Sequence, residues 1–447
     1  MISPARQAAY RSLRAVADPY TDLAATMESQ RGSLADERDR ALAAEVVLGT
    51  LRWRAALDHV IAWAGHREIG AFDPEVLDLL RLSAYQLLHL DRVPASAVVH
   101  DAVDLCKREG KASASGAVNA ILRRISRDRE HLPMPDESDR VNYLATAQSH
   151  PGWLVTRWLG RFGFETALQW VRFNNQQAPL MLRANRLKTS REELATALAA
   201  VGVTTVPARY AVDGLVVTDG NPLTTPLASS GHFVVQDESS QLVAAFAGVS
   251  AGEIVLDACA APGGKTSQMA ADLGDRGSLV AADVRPRRVR LLTCTLAATG
   301  ADRVRLVVAD LLAGEPFGPV FDCVLVDAPC SGLATLRRDP DVKWRRTEAD
   351  LNANAARQGR MLSSAAAVVR PGGRLIYSTC STEPEENEQV VEAFLTSHGD
   401  FVFESPLTFR TTVTPGVTAC LDEAGYLRPT PHQHGLEPFF AARLRRK

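Results

Sequence analysis

Two cysteines fifty positions apart, Cys330 and Cys380, each stand on a turn that directly follows an apolar run of strand character. The first run, Cys323 to Val326, leads into Asp327-Ala328-Pro329-Cys330-Ser331-Gly332, and the second, Arg374 to Tyr377, into Ser378-Thr379-Cys380-Ser381. If the two runs are neighbours in one parallel sheet, their C-terminal ends bring both thiols and Asp327 into one pocket, because open α/β sheets bind ligands outside those ends. A buried cysteine is most often a small inert apolar residue, and that reading suits Cys106, Cys294 and Cys323, which fall inside apolar helix or strand patterns. It suits Cys330 and Cys380 less, since strand-end turns deliver side chains to ligands.

Acidic residues repeat the same logic. Ile254 to Leu256, Leu279 to Ala281, Val304 to Val308 and Cys323 to Val326 read as buried parallel strands, and Asp257, Asp283, Asp310 and Asp327 stand just past their ends. Asp283 is placed to accept hydrogen bonds from the two hydroxyls of a ribose, and Asp310 suits an adenine amino group, so a nucleoside-containing cofactor is expected. Each acid alone reads equally well as a helix N-cap; the regular series favours the ligand. After Asp257 comes Ala258-Cys259-Ala260-Ala261-Pro262-Gly263-Gly264-Lys265-Thr266, a glycine turn into a helix whose unpaired N–H groups suit an anionic group. The phosphate-cradling loop of triphosphate enzymes would need a glycine where Cys259 stands, and the dinucleotide spacing G-x-G-x-x-G is absent.

The elements that must position these residues occupy the C-terminal half of a chain of 447 residues, long enough for about three domains. From Pro4 to Arg129 the pattern is helical: Leu77, Leu80, Ala84 and Leu87 recur at three and four, behind Pro74. Pro133 and Pro135 mark a linker, Trp158 to Trp170 is helical, and Pro179 to Val235 alternates short β runs with a helix over Ser190 to Ala200. The expected division is 1–130, 131–235 and 236–447. With 50 basic against 52 acidic residues the net charge is −2, so any polyanion site must be local. The seven cysteines lack metal-ligand spacing, which excludes an expected metal site and suits a reducing cytoplasm; no signal peptide or membrane span is read. Two basic stretches stand out: Lys107, Arg108, Lys111, Arg123 and Arg124, and the run Arg337, Arg338, Lys343, Trp344, Arg345 and Arg346 just past the cysteine turn. Each reads as a phosphate-holding surface, with Trp344 as a base-stacking platform, or as a solvated face with Trp344 packed inward.

The motifs at 257–266, 327–332 with Leu336-Arg-Arg-Asp-Pro-Asp-Val-Lys-Trp344, and 377–381 with Glu385-Glu386-Asn387 resemble the RNA 5-methylcytosine methyltransferases, in their bacterial 16S ribosomal RNA branch. The helical N-terminal third resembles the NusB RNA-binding domain, and with His150-Pro-Gly-Trp153 and Leu182 to Lys188 it separates this branch from tRNA-modifying relatives. Relatives commonly carry Asp-Gly before the last strand, where this chain has Gly435-Leu-Glu437-Pro438; Phe439 to Leu444 still read as a strand.

The resemblance implies an all-α NusB-like domain, a small α/β connector and a Rossmann-like catalytic domain with a seven-stranded, mostly parallel sheet. It implies S-adenosylmethionine held by Cys259, Ala260, Ala261, Pro262, Gly263, Gly264, Lys265, Asp283, Asp310 and Asp327, and 16S ribosomal RNA as partner. Cys380 would be the nucleophile that adds to C6 of cytosine and makes C5 enamine-like, Cys330 would help release the product, and Asp327 would hydrogen-bond the base. Cys380 then needs a lowered pKa or a base nearby, which the sequence does not identify. The rival readings are a tRNA cytosine-5 methyltransferase and a non-catalytic RNA-binding assembly factor; the intact set of cysteines and acids argues against the latter.

Overall fold

A computed structural model describes residues 2–18, 21–313 and 316–447. Packing divides the chain into two units, residues 1–177 with 336–346, and residues 178–335 with 347–447. In this division the helices between 131 and 177 pack with the N-terminal unit, the small sheet packs with the C-terminal one, and Leu336–Arg346 returns to the helical unit.

The helical unit follows its sequence pattern. In the helix Pro74–His89, Asp73 caps the Glu75 N–H, Pro74 occupies the first turn, and Val76, Leu77, Leu79, Leu80 and Ala84 are buried. These side chains share one core with Tyr10, Val46, Leu57, Ile61, Val98, Leu105, Val118 and Ile125 from the surrounding helices. The long helix Gly152–Asn175 buries Trp158 and Trp170, which meet edge to face at 5.4 Å, so these tryptophans belong to the core.

In the second unit β1 (Met181–Ala184), β2 (Thr204–Pro207), β3 (Gly214–Asp219) and β4 (Phe233–Val235) form an antiparallel sheet in the order β2-β3-β1-β4. The helix Arg191–Ala200 packs on it behind a capping box of Ser190 and Glu193. The larger sheet holds β5 (Ile254–Asp257), β6 (Ser278–Asp283), β7 (Arg305–Val308), β8 (Phe321–Asp327), β9 (Val369–Thr379), β10 (Phe401–Phe403) and β11 (Phe440–Arg446). Its order is β10-β11-β9-β8-β5-β6-β7, parallel except for β11, which runs antiparallel to β9 and β10. Buried on both faces, β5, β6, β8 and β9 carry continuous apolar runs, which is why they were legible. The strand order reverses between β5 and β8, and a crevice opens at the C-terminal ends of strands on either side of such a reversal. The expected seven-stranded Rossmann-like domain is therefore present.

Candidate active site

The crevice holds a cavity of about 200 Å³ whose lining includes Cys259, Asp283, Asp310, Asp327, Cys330 and Cys380. Sheet register accounts for the convergence. Asp327 pairs with Ser378 across β8 and β9, and Ala328 N donates to Ser378 O at 2.8 Å, so the turns beyond both strands emerge side by side. The two sulfur atoms end 3.3 Å apart as free thiols. The hydrogen bond to Cys380, together with burial, pushes the Cys330 thiol well above its ordinary value, so it holds its proton at neutral pH.

Asp327 sits between two donors: Lys265 Nζ at 2.7 Å on one oxygen and Ser378 Oγ at 2.7 Å on the other. Burial opposes the charge on Lys265, but Asp327 overcomes it and the ammonium pKa is raised. Lys265, expected among the cofactor contacts, is thus committed to Asp327 and is not part of the cavity lining.

The loop between β5 and the helix Gly264–Leu273 divides its labour. Cys259 and Ala261 line the cavity, while Ala260 N–H bonds Ala282 O at 2.9 Å and fixes the turn. Gly263 has φ 110°, and a Cβ there would lie 2.8 Å from Leu292 Cδ1, so both backbone conformation and space demand glycine. Asp257 lies beneath the loop with its carboxylate bonded by Thr266 Oγ1 at 2.7 Å; burial pushes it up to about 7. Arg183 on β1, inside the stretch Leu182 to Lys188, is fully buried and braces the helix start, donating to Gln236 Oε1 and Ser267 Oγ at 2.7 Å and to Gly264 O at 3.2 Å.

The residues expected to hold a nucleoside fit one. Asp283 is buried and caps Arg285 N at 3.1 Å; Asp310 caps Leu312 N at 2.9 Å, so the cap reading and the ligand reading coexist. Between these carboxylates the cavity offers the apolar side chains of Val284, Leu311 and Leu312, and Val284 is 41 % exposed. Carboxylates for hydroxyl or amino groups beside an apolar wall for a planar ring match the chemistry of an adenosine.

Glu386, inside the stretch Glu385 to Asn387, joins the two cysteine turns. It is fully buried and accepts hydrogen bonds from Ser331 N at 2.7 Å and from the hydroxyls of Ser331 and Ser381 at 2.5 Å. No cue short of the three-dimensional pairing of β8 with β9 could have assigned it that place.

The family model for the 16S rRNA methyltransferases RsmB/F matches residues 246–445, that of the NusB family residues 3–127, and that of the ferredoxin-like domain of RsmF/B-like methyltransferases residues 150–224. A protein of Synechocystis sp. named "Probable ribosomal RNA small subunit methyltransferase B" is 36% identical over the whole of both chains. The chain belongs to the 16S rRNA methyltransferase RsmB/F family. The "Ribosomal RNA small subunit methyltransferase B" of Pseudomonas putida is 36% identical over 87% of this chain and 88% of that one. The crystal structure of PH0851 superposes with a TM-score of 0.82 at 25% identity over 99% of each chain. That of NSun6 from Pyrococcus horikoshii with SFG, at 22% identity and a TM-score of 0.59, covers 67% of this chain and 99% of that one and shares the fold.

The two basic stretches were expected to hold RNA phosphates, and here the structure separates their residues. Lys107, Arg108 and Arg123 are exposed. Lys107, Arg123 and Arg127 line a shared groove with Ser96, Ser115 and Asn119. Lys111 is instead paired with Asp73 at 2.6 Å, and Arg124 lies over the Trp63 ring at 4.1 Å.

Lys343 requires a correction. Only 1% exposed, it donates to Arg52 O at 3.2 Å, Ser149 O at 3.1 Å and Asn175 Oδ1 at 2.8 Å, leaving no proton for a phosphate. Trp344 packs inward as well, with Nε1 on Leu51 O at 2.6 Å and the Arg54 guanidinium over its ring. Arg345 donates to Thr21 O at 2.6 Å and Arg337 to Gln177 O at 2.9 Å, while Arg338 lines an internal groove of the helical unit and Arg346 is half-buried. Cys294 is corrected too: it is exposed. In the helix Pro286–Thr299 the buried face is Leu292 and Leu296, and Cys294, two positions from each, points away.

Proposed function

We propose that this protein transfers a methyl group from S-adenosylmethionine to C5 of one cytidine in 16S ribosomal RNA, through a covalent bond between Cys380 and C6 of the base. The observation that carries the reading is the pair of free thiols 3.3 Å apart beside a carboxylate in a nucleoside-fitting cavity. Family membership supports the RNA substrate, since relatives 36% identical to this chain are named for small-subunit ribosomal RNA.

S-adenosylmethionine, held by Cys259, Ala261, Asp283 and Asp310, supplies an electrophilic methyl group on a sulfonium. Cytosine C5 is too electron-poor to take that group unaided, so the Cys380 thiolate adds to C6, and the C5–C6 π pair shifts onto C5 to give a C4–C5 enamine. Asp327, held by Lys265 Nζ, would hydrogen-bond the base near N3 and stabilise the adduct by sharing a proton with that ring nitrogen, where the addition leaves its charge. Once C5 bears the methyl group, a general base or solvent water takes the C5 proton, the C–H electron pair re-forms the C5–C6 double bond, and the C6–S pair leaves with Cys380. Cys330 retains its proton at neutral pH and lies in hydrogen-bond contact with Cys380, so it can protonate the departing sulfur. The base must leave its stack to reach both turns, which favours an unpaired or flipped cytidine, and the exposed groove with Lys107 and Arg123 offers phosphates a second anchor.

The test is methylation in vitro of 16S ribosomal RNA and of a tRNA pool, with bisulfite mapping of both. One 5-methylcytidine in 16S RNA and none in tRNA is expected. Methylation confined to tRNA, or to a position other than C5, refutes the assignment.

A further inference from the structure

Glu386 takes no part in the chemistry just described, yet its position governs both thiols. Ser331 and Ser381, which follow Cys330 and Cys380 directly, both give their hydroxyl protons to Glu386 Oε2. The two hydroxyl oxygens also lie 3.2 Å apart, within hydrogen-bond reach of one another, so the carboxylate and the two hydroxyls form one closed triangle that ties the cysteine turns together. Oε1 takes the Ser331 backbone N–H at 2.7 Å and the Gln358 amide at 3.2 Å, and Gln358 also donates to Pro329 O at 3.0 Å, so the grip spans both flanks of Cys330.

Glu386 is itself anchored on the other turn. Its carbonyl accepts from Tyr377 OH at 2.6 Å, and the next residue, Asn387, accepts from Thr379 Oγ1 at 2.5 Å and donates to Ser381 O at 3.0 Å. Thr379 and Ser381 bracket Cys380. Four donors on one buried carboxylate offset its desolvation, and all four come from the elements that carry or abut the two cysteines.

We propose that Glu386 is a positioning residue: by binding the serine after each cysteine it sets the sulfur–sulfur separation, and with it the handover from the nucleophile Cys380 to Cys330 during release. The inference rests on the methyltransferase reading for its kinetic consequence, but the separation itself can be measured without RNA. After the hydrogen bond to Cys380 and burial, the charge of Glu386 adds to the upward push on the Cys330 thiol. Charge and geometry therefore act in the same direction.

Two variants separate the roles. Glu386→Ala removes the clamp, whereas Glu386→Gln keeps its shape and drops its charge. Without RNA, the rate at which diamide oxidises Cys330 and Cys380 to a disulfide should fall about tenfold or more in E386A relative to wild type, because a small misplacement costs that much in an intramolecular reaction. With RNA, E386A should bind S-adenosylmethionine within about twofold of wild type and still form the Cys380 adduct, but resolve it roughly 10- to 100-fold more slowly. E386Q should resolve it with a pH profile displaced to lower pH, since loss of the anion lets Cys330 release its proton sooner. Disulfide formation and adduct release at wild-type rates in E386A overturn the proposal, as does a loss of cofactor binding, folding and activity in parallel in both variants. If wild type forms no adduct at all, the methyltransferase chemistry fails instead, and the diamide rates still judge the clamp.

Discussion

Cys330 and Lys343 lie thirteen positions apart, and in that interval the chain passes from the α/β unit to the helical one. On the first side a buried anion, Glu386, is surrounded by donors from turns that face a cavity. On the second a buried amine, Lys343, whose pKa burial pulls well below its ordinary value, is surrounded by the carbonyls of Arg52 and Ser149 and the amide of Asn175, which belong to the body of the helical unit. Both groups are occupied by their partners, so neither is available to a ligand. What differs is what the partners carry: the serines on Glu386 sit next to the two thiols that line the cavity, whereas the acceptors on Lys343 hold helix ends and a linker together. A buried ionisable group thus reports on function only through what its partners position.

The sharpest way to break this comparison is to act on each side in turn. Cys380→Ala should lower methylation of 16S RNA by about a thousandfold or more, with the fold intact, as loss of a covalent nucleophile does; residual activity within tenfold of wild type would remove Cys380 from the mechanism. Lys343→Met should instead cost about 3 kcal/mol in stability, since it strands three buried acceptors, while activity per folded molecule is kept. Denaturant unfolding with matched activity assays checks it, and a stable variant with weakened RNA binding would restore Lys343 to the RNA surface.

Asp257 gives a pH-dependent contrast inside the catalytic unit. Burial raises its pKa from the ordinary 3.8 to about 7, so the fold favours the neutral acid. That contribution is complete below the unfolded value and is lost as pH rises through about 7. Asp257→Asn, always neutral, should therefore gain stability relative to wild type between about pH 4 and 7, by no more than about 1.4 kcal/mol per pH unit, and then level off. A flat difference across that range would mean that the carboxylate stays charged. The smallest effect is expected at the exposed groove: Lys107→Ala with Arg123→Ala should weaken RNA binding about tenfold and flatten its salt dependence by one to two ions, roughly 0.7 to 0.9 per contact, without changing stability. An unchanged salt slope would leave that groove without a role in RNA binding.

Much of the catalytic unit was legible because parallel strands buried on both faces read as unbroken apolar runs, and residues at their ends converge by topology. Asp283, Asp310, Asp327, Cys330 and Cys380 were placed by that rule, and all five line the cavity. The basic stretch was not legible in the same way. The helix Val342–Arg345 is only four residues long, too short for periodicity to say which side faces inward. Lysine and arginine also look alike in sequence whether they meet water or carbonyls. Lys265 illustrates this within the site, since its partner Asp327 is 62 positions away. Glu386 and Arg183 were invisible for the same reason: each gains its role from residues brought near by sheet pairing, and no local pattern announces a buried charged side chain whose partners lie far along the chain.

The central claim is that two adjacent thiols divide one reaction. Cys330→Ala, incubated with 16S ribosomal RNA and S-adenosylmethionine and analysed by denaturing mass spectrometry, tests it most directly. The account predicts a stable protein–RNA adduct that carries the transferred methyl group, is joined through Cys380, and is absent when Cys380 is also replaced by alanine. Normal turnover with no accumulated adduct, or an adduct that survives the loss of Cys380, would contradict it.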